Sequence, residues 1–147
     1  MARETRPGAA SPSFLGTGWS FPPVFSRRTG SVVMVSGDAD VKESLWILFS
    51  TAIGERIMLA TYGTSLWDRV FTSLTTTTAN QIRDLIATAI LDWEPRIDVI
   101  EVSVTLSDPA GGILEIGVDY MIRQTNVRSN LVYPFYLIEA TLPPPPY

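Results

Sequence analysis

The sequence predicts an α+β fold: a two-layer domain in which amphipathic helices pack on a small antiparallel sheet, with an extended arm at the N-terminus. Three observations carry this. Residues 40–52 and 78–93 place apolar side chains at helical spacing. Residues 100–122 hold two runs that alternate at period two around the turn-forming stretch DPAGG. A third apolar run follows them, interrupted by Pro134. The 147 residues suit one domain with a real core, and 46% hydrophobic against 18% charged residues excludes a disordered chain.

Residues 1–36 read as the arm. Its first 13 residues are rich in Pro, Gly, Ala and Ser, a loose tail by composition. Phe14, Trp19, Phe21 and Phe25 follow among glycines and around Pro22-Pro23, with much apolar area and no helical period. Such an arm must pack on something, either this domain or a neighbour.

The main domain spans 37–140. Its first helix is expected from Asp40, with Asp40 and Glu43 at capping-box spacing. Val41, Leu45, Leu48, Phe49 and Ala52 form the apolar stripe, and Gly54 stands where a C-cap glycine belongs. A short extended piece and a turn at Gly63 lead to a short helix in SLWDRVFT. In the second long helix Thr78 and Gln81 repeat the cap spacing, and Ile82, Leu85, Ile86, Ala89, Ile90 and Trp93 make one face. Pro95 ends it.

In the predicted hairpin, Ile100, Val102, Val104 and Leu106 alternate with Glu101, Ser103 and Thr105. Leu114, Ile116, Val118, Tyr120 and Ile122 form the second apolar row. Pro134 lacks a ladder donor, which puts NLVYPFYL at an edge or across a break. Residues 141–147, ending in PPPPY, read as a polyproline II tail.

A net charge of −4, one lysine (Lys42) and ten scattered arginines exclude a broad attraction to nucleic acid. The chain has no cysteine and no histidine, which removes disulfides, thiolate and imidazole metal sites, and Cys or His catalysis. Arg27-Arg28 precede an apolar run of only four residues, too short for an export signal, and no stretch approaches the ~20 apolar residues that span a bilayer. The chain is thus expected to be made in the cytoplasm, without membrane insertion. GTGWSF lacks the third glycine of a dinucleotide loop. Carboxylates alone can cleave glycosides. However, no aspartate lies nine positions after Glu43, Glu55, Glu94 or Glu101, as a phage-type lysozyme would need. No catalytic residue, cofactor or metal is expected.

One stretch invites a functional reading. Glu94 and Arg96 flank the helix-ending Pro95, and a helix end followed by a strand start fixes both charges at one corner. An exposed ion pair would add less than ~1 kcal/mol. Rigid outward charges would instead make a specific docking point for a protein.

These pieces resemble the baseplate wedge family of contractile phage tails, which serves as sheath initiator in contractile injection systems and type VI secretion. The matching segments, in order, are MVSGDADVKESLWILFSTAIGERIM (34–58), YGTSL (62–66), WEPRI (93–97) and NLVYPFYL (130–137). With the elements between them the resemblance covers roughly 17 to 140. Ala60, Thr61 and Tyr62 before Gly63 depart from the family's Pro-Asp/Glu-Phe-Gly run. The resemblance implies a non-enzymatic baseplate component that links the wedge to the sheath and nucleates sheath assembly, six copies per baseplate. It implies wedge docking through Glu94, Pro95 and Arg96, and sheath docking by strand exchange near Leu131, Val132, Tyr133, Phe135 and Tyr136. Hub and inner-tube proteins would be further neighbours in a phage tail or injection particle. Two other readings compete: a peptidoglycan-cleaving lysozyme, and a soluble adaptor that binds through its proline tail.

Overall fold

The computed structural model describes residues 15–69, 75–108 and 110–136. The predicted tail before residue 15, the end of the short helix at 70–74 and the PPPPY tail lie outside them.

The arm doubles back on itself. β1 (Thr17–Trp19) pairs with β4 (Met34–Ser36), and β2 (Phe25–Ser26) with β3 (Ser31–Val32), all antiparallel. The Gly30 N–H donates to the Ser26 carbonyl at 2.9 Å and closes the tip. Leu15 is buried and Phe21 packs against the core, so the arm is seated on this domain.

Helix α1 covers Asp38–Ser50 and buries Val41, Leu45, Leu48 and Phe49, as the stripe predicts; it also buries Trp46, while Ala52 of the stripe lies beyond its end and is only half-buried. Its ends differ from the expectation. Gly37 is the N-cap with no side-chain cap bond, and Thr51, not Gly54, is the C-cap. The capping box fails because tertiary partners take both carboxylates. Asp40 accepts from Arg96, and Glu43 from the Phe21 N–H at 3.0 Å. Thr51 Oγ1 closes the helix by donating to the Ile47 carbonyl at 2.6 Å.

The chain then turns at Gly63, whose φ of +120° and crowding explain the glycine. An added Cβ would lie 2.5 Å from the Thr51 carbonyl oxygen. A 3-10 turn at Leu66–Arg69 stands where the short helix was expected. Helix α2 runs Thr76–Trp93 and buries Ile82, Ile86, Ala89 and Ile90. Its N-cap is Thr75, three residues before the predicted Thr78; Thr75 Oγ1 accepts from the Thr78 N–H at 3.2 Å.

The sheet is a meander in the order β5 (Ile97–Asp108), β6 (Ile113–Ile122), β7 (Val127–Tyr136), antiparallel throughout. Every second residue of β6 from Leu114 to Ile122 is buried. A register shift between Val99 and Glu101 corrects one expectation. Ile97 and Val99 face the core before the bulge, Val102 and Val104 after it, and Ile100 is left exposed. Pro134 lies opposite Glu115 on the edge strand β7, where a missing donor is tolerated.

Helix α2 lies along β5 and α1 along β7. The core forms between these helices and one sheet face. Tyr133 receives Trp46 and Phe49 edge-on, with ring centroids 4.8 and 5.6 Å away. Each fully buried Ile, Leu or Phe stabilises by roughly 2 kcal/mol, so the helix stripes and the sheet face hold the fold together.

Candidate functional site

The corner between α2 and β5 is three residues long, which leaves little freedom in where its side chains go. Glu94 is the C-cap of α2, its N–H donating to the Ile90 carbonyl at 2.8 Å. That geometry turns the carboxylate inward, and Glu94 is only 3% exposed. Arg96 clamps it with both arms of its fork, Nε to Oε1 at 2.6 Å and Nη2 to Oε2 at 2.7 Å. The Ser44 hydroxyl donates to Oε2 at 2.7 Å. Arg96 Nη1 reaches further, to Asp40 Oδ2 at 2.6 Å and to the Leu15 carbonyl at 2.8 Å.

The expected outward-pointing charged corner is therefore corrected. Glu94 is inside, Arg96 keeps a quarter of its side chain accessible, and only Pro95 is fully at the surface. A desolvated carboxylate must be paired; three donated hydrogen bonds meet that need. Burial pushes the Glu94 carboxyl up, but the bonds from Arg96 and Ser44 outweigh it and hold it below the ordinary value. Its bonds to Glu94, and then to Asp40, raise Arg96 further above its usual range.

The corner is a cross-tie. It joins the arm through Leu15, α1 through Asp40 and Ser44, the end of α2 and the start of β5. A second tie lies at the start of α1. Asp38 accepts from the Tyr120 hydroxyl at 3.0 Å, the Ser129 hydroxyl at 3.1 Å and Lys42 at 3.1 Å. Burial works against ionisation of Asp38, and these donors hold its carboxyl below the usual value. Sequence reading missed Asp40, Ser44 and Asp38 as partners. The available signal was that Asp40 and Ser44 share one helix face beside the apolar stripe.

The residues predicted for sheath docking divide by side of the sheet. Leu131, Tyr133 and Phe135 are buried in the core, whereas Val132 is exposed and Tyr136 half-buried. Side-chain contact there is thus left to Val132 and Tyr136, together with the outer main-chain edge of β7. A groove of about 410 Å³ lies along that edge, between Ala39, Lys42, Glu43 and Trp46 of α1 and Asn130 to Val132 of β7. The Trp46 indole N–H has no partner among the described residues.

Among the described residues no cluster of three potential metal ligands exists, and no helix is long and apolar enough to cross a membrane. Glu94, fully engaged and held ionised, is a poor proton donor. Glu43 is pushed up by burial, yet its Oε2 already accepts the Phe21 N–H.

The sequence matches the family described as Baseplate wedge protein gp25 over residues 35–127. Among solved structures, the fold is similar to a Geobacter sulfurreducens protein given the provisional name tail lysozyme. The two are 41% identical with a TM-score of 0.69, over 76% of this chain and all of that one. It is also similar to a protein in the baseplate of the anti-feeding prophage, a structure with sixfold symmetry applied. That match is 30% identical with a TM-score of 0.62, over 84% of this chain and 86% of the other. Residues 35–147 amount to 113 of 147, about 77%, so this likeness reaches into the arm. A chain of the type VI secretion baseplate complex shares the fold, with a TM-score of 0.58 and 16% identity over 68% of this chain and 92% of its own. No curated protein matches.

Proposed function

The chain belongs to the gp25 family of baseplate wedge proteins, structural components of contractile phage tails and injection systems, and we propose that within the baseplate it joins the wedge to the sheath. The observation that carries this reading is the outer edge of β7, which pairs with no strand among the described residues. It runs beside a groove lined in part by Trp46 of α1. An open edge beside an apolar wall suits an added strand, which would supply main-chain partners. The first ring of sheath subunits is the proposed source of that strand, and sheath assembly starts there.

Wedge docking is proposed at the surface of the same corner, through exposed Pro95 and the accessible part of Arg96. Glu94 acts from behind by fixing the guanidinium. Six copies per baseplate are part of this reading, in keeping with the sixfold symmetry applied to the anti-feeding prophage baseplate. Hub and tube proteins are further neighbours, and the chain is made in the cytoplasm before it is incorporated. We also infer that it is no cell-wall hydrolase, because Glu94, the most buried acid among the described residues, is locked in an ion pair. Loss of turbidity of a cell-wall suspension on adding purified protein would reverse that inference.

The test is co-expression with the other structural genes of the same cluster. The wild-type chain is expected in purified baseplates. Val132→Lys places a charge on the exposed edge and should leave the chain incorporated while sheath extension falls at least tenfold. Pro95→Asp should keep the fold and lose incorporation. A wild-type chain absent from baseplates, or a Val132→Lys chain that still starts sheaths, overturns the reading.

A further inference from the structure

The arm hairpin presents a large apolar surface to solvent. Trp19 and Met34 are directly opposed across β1 and β4, and Phe25 and Val32 across β2 and β3. Trp19 is 64% and Phe25 69% exposed, and Val24, Val33 and Met34 are exposed as well. Isolated exposed apolar residues are ordinary, but a run of this size marks an interface. Beside it, Arg27 and Arg28 form the hairpin tip. Among the described residues neither has a carboxylate or hydrogen-bond partner, in a chain whose net charge is −4.

The hairpin is held firmly at its base, which decides what kind of interface it makes. The Phe21 N–H is bound by Glu43, the Leu15 carbonyl by Arg96, and Phe21 packs on the core. Gly18 approaches α1 so closely that a Cβ there would lie 2.6 Å from Asp40 Oδ1. Asp40 is in turn held by Arg96. Two anchored ends and a packed base mean that little conformational freedom remains to be lost on binding.

We propose that this hairpin is a second docking surface, and that its occupant is another baseplate protein offering an apolar groove rimmed by carboxylates. The inference rests on the reading of the chain as a baseplate joint and adds the arm to its contacts. Charge argues for the acidic rim, since two unpaired arginines at the edge of an apolar patch pair best with carboxylates. The likeness of the anti-feeding prophage protein, which extends into the arm, argues for a partner inside the baseplate. Arg96 is then a positioning residue: it ties the arm to the corner without itself meeting this partner.

The experiment places a photo-reactive phenylalanine analogue at position 19 or 25 of the full chain, co-expressed with the other structural genes of its cluster. The expected adduct joins the chain to a different baseplate protein, at an apolar segment flanked by Asp or Glu. The double variant Trp19→Ala/Phe25→Ala should lower incorporation into baseplates at least tenfold, with circular dichroism and melting temperature unchanged. Arg27→Glu/Arg28→Glu should lower it several-fold and remove its dependence on salt. Adducts between two copies of the chain, sedimentation of the purified chain with anionic vesicles through Arg27 and Arg28, or variants that incorporate normally would each overturn the proposal. In the last case the wild-type chain still appears in baseplates, so the joint reading stands; if wild type is also absent, that reading fails first.

Discussion

Two arginine–carboxylate pairs sit side by side in this molecule and differ in almost everything except distance. Arg96 holds both oxygens of Glu94, at 2.6 and 2.7 Å, with the carboxylate almost wholly buried. Arg123 holds Asp98 at 2.7 Å, but through the single oxygen Oδ1, with both side chains about half exposed. The strands that carry them are joined by a hydrogen bond from the Arg123 N–H to the Arg96 carbonyl at 3.0 Å. Distance does not separate the two. Dehydration and the number of further partners do, and both follow from where the backbone turns each side chain.

The strongest test of that contrast is Glu94→Ala. It would leave Arg96 short of its main partner and Ser44 without an acceptor, inside the fold. Removing one member of a buried pair costs several kcal/mol. Because Asp40 remains beside Arg96, the lower end of that range applies, about 3 kcal/mol. Urea unfolding measures it, and a loss below about 1 kcal/mol would erase the difference between the two pairs. Impaired assembly of this variant would report lost stability before it reported lost docking.

Acid should act on the same pair less severely, since protonation removes the charge and leaves the side chain in place. The folded carboxyls of Glu94 and Asp38 lie below their ordinary values of 4.5 and 3.8. Their stabilisation is complete above the unfolded values and is lost as pH falls through the folded ones. Glu43 has the opposite sign. Burial raises its carboxyl, so its contribution grows as pH falls towards 4.5 and blunts the start of the decline. The melting temperature should be nearly flat from about pH 7 to about pH 5 and fall steeply below about pH 4. Glu94→Gln should start lower and decline less steeply. Parallel curves for the two proteins would mean that Glu94 carries none of the acid sensitivity.

The helices, the hairpin and the edge position of β7 were legible because each depends on local periodicity or on one proline. The corner was legible as a place but not as a direction. Whether Glu94 faces in or out depends on Ser44, 50 residues away, and Arg96 on Asp40, 56 residues away. No local pattern encodes such partners. For the same reason Asp40 and Glu43 read as caps: their spacing is right for a cap, and only the folded chain offers them better donors. Ile100 was misplaced because a bulge breaks the alternation without any glycine or proline to mark it. In β7 the alternation itself was the clue. Leu131, Tyr133 and Phe135 share a parity, and β6 beside them leaves that parity facing the core.

The smallest expected effect completes the comparison. Asp98→Ala and Arg123→Ala remove partners that water can replace, at positions half open to solvent. Each should cost less than about 1 kcal/mol, and a double-mutant cycle should return a coupling of roughly 0.5 kcal/mol that fades in high salt. The cycle matters because the neighbouring pair bounds the alternative. If geometry alone set the strength of an ion pair, Asp98–Arg123 would couple nearly as strongly as Glu94–Arg96, given contacts within 0.1 Å of each other. A coupling above about 2 kcal/mol would therefore place the difference somewhere other than burial. A weak, salt-sensitive value puts it in the water that Glu94 has given up and Asp98 has kept.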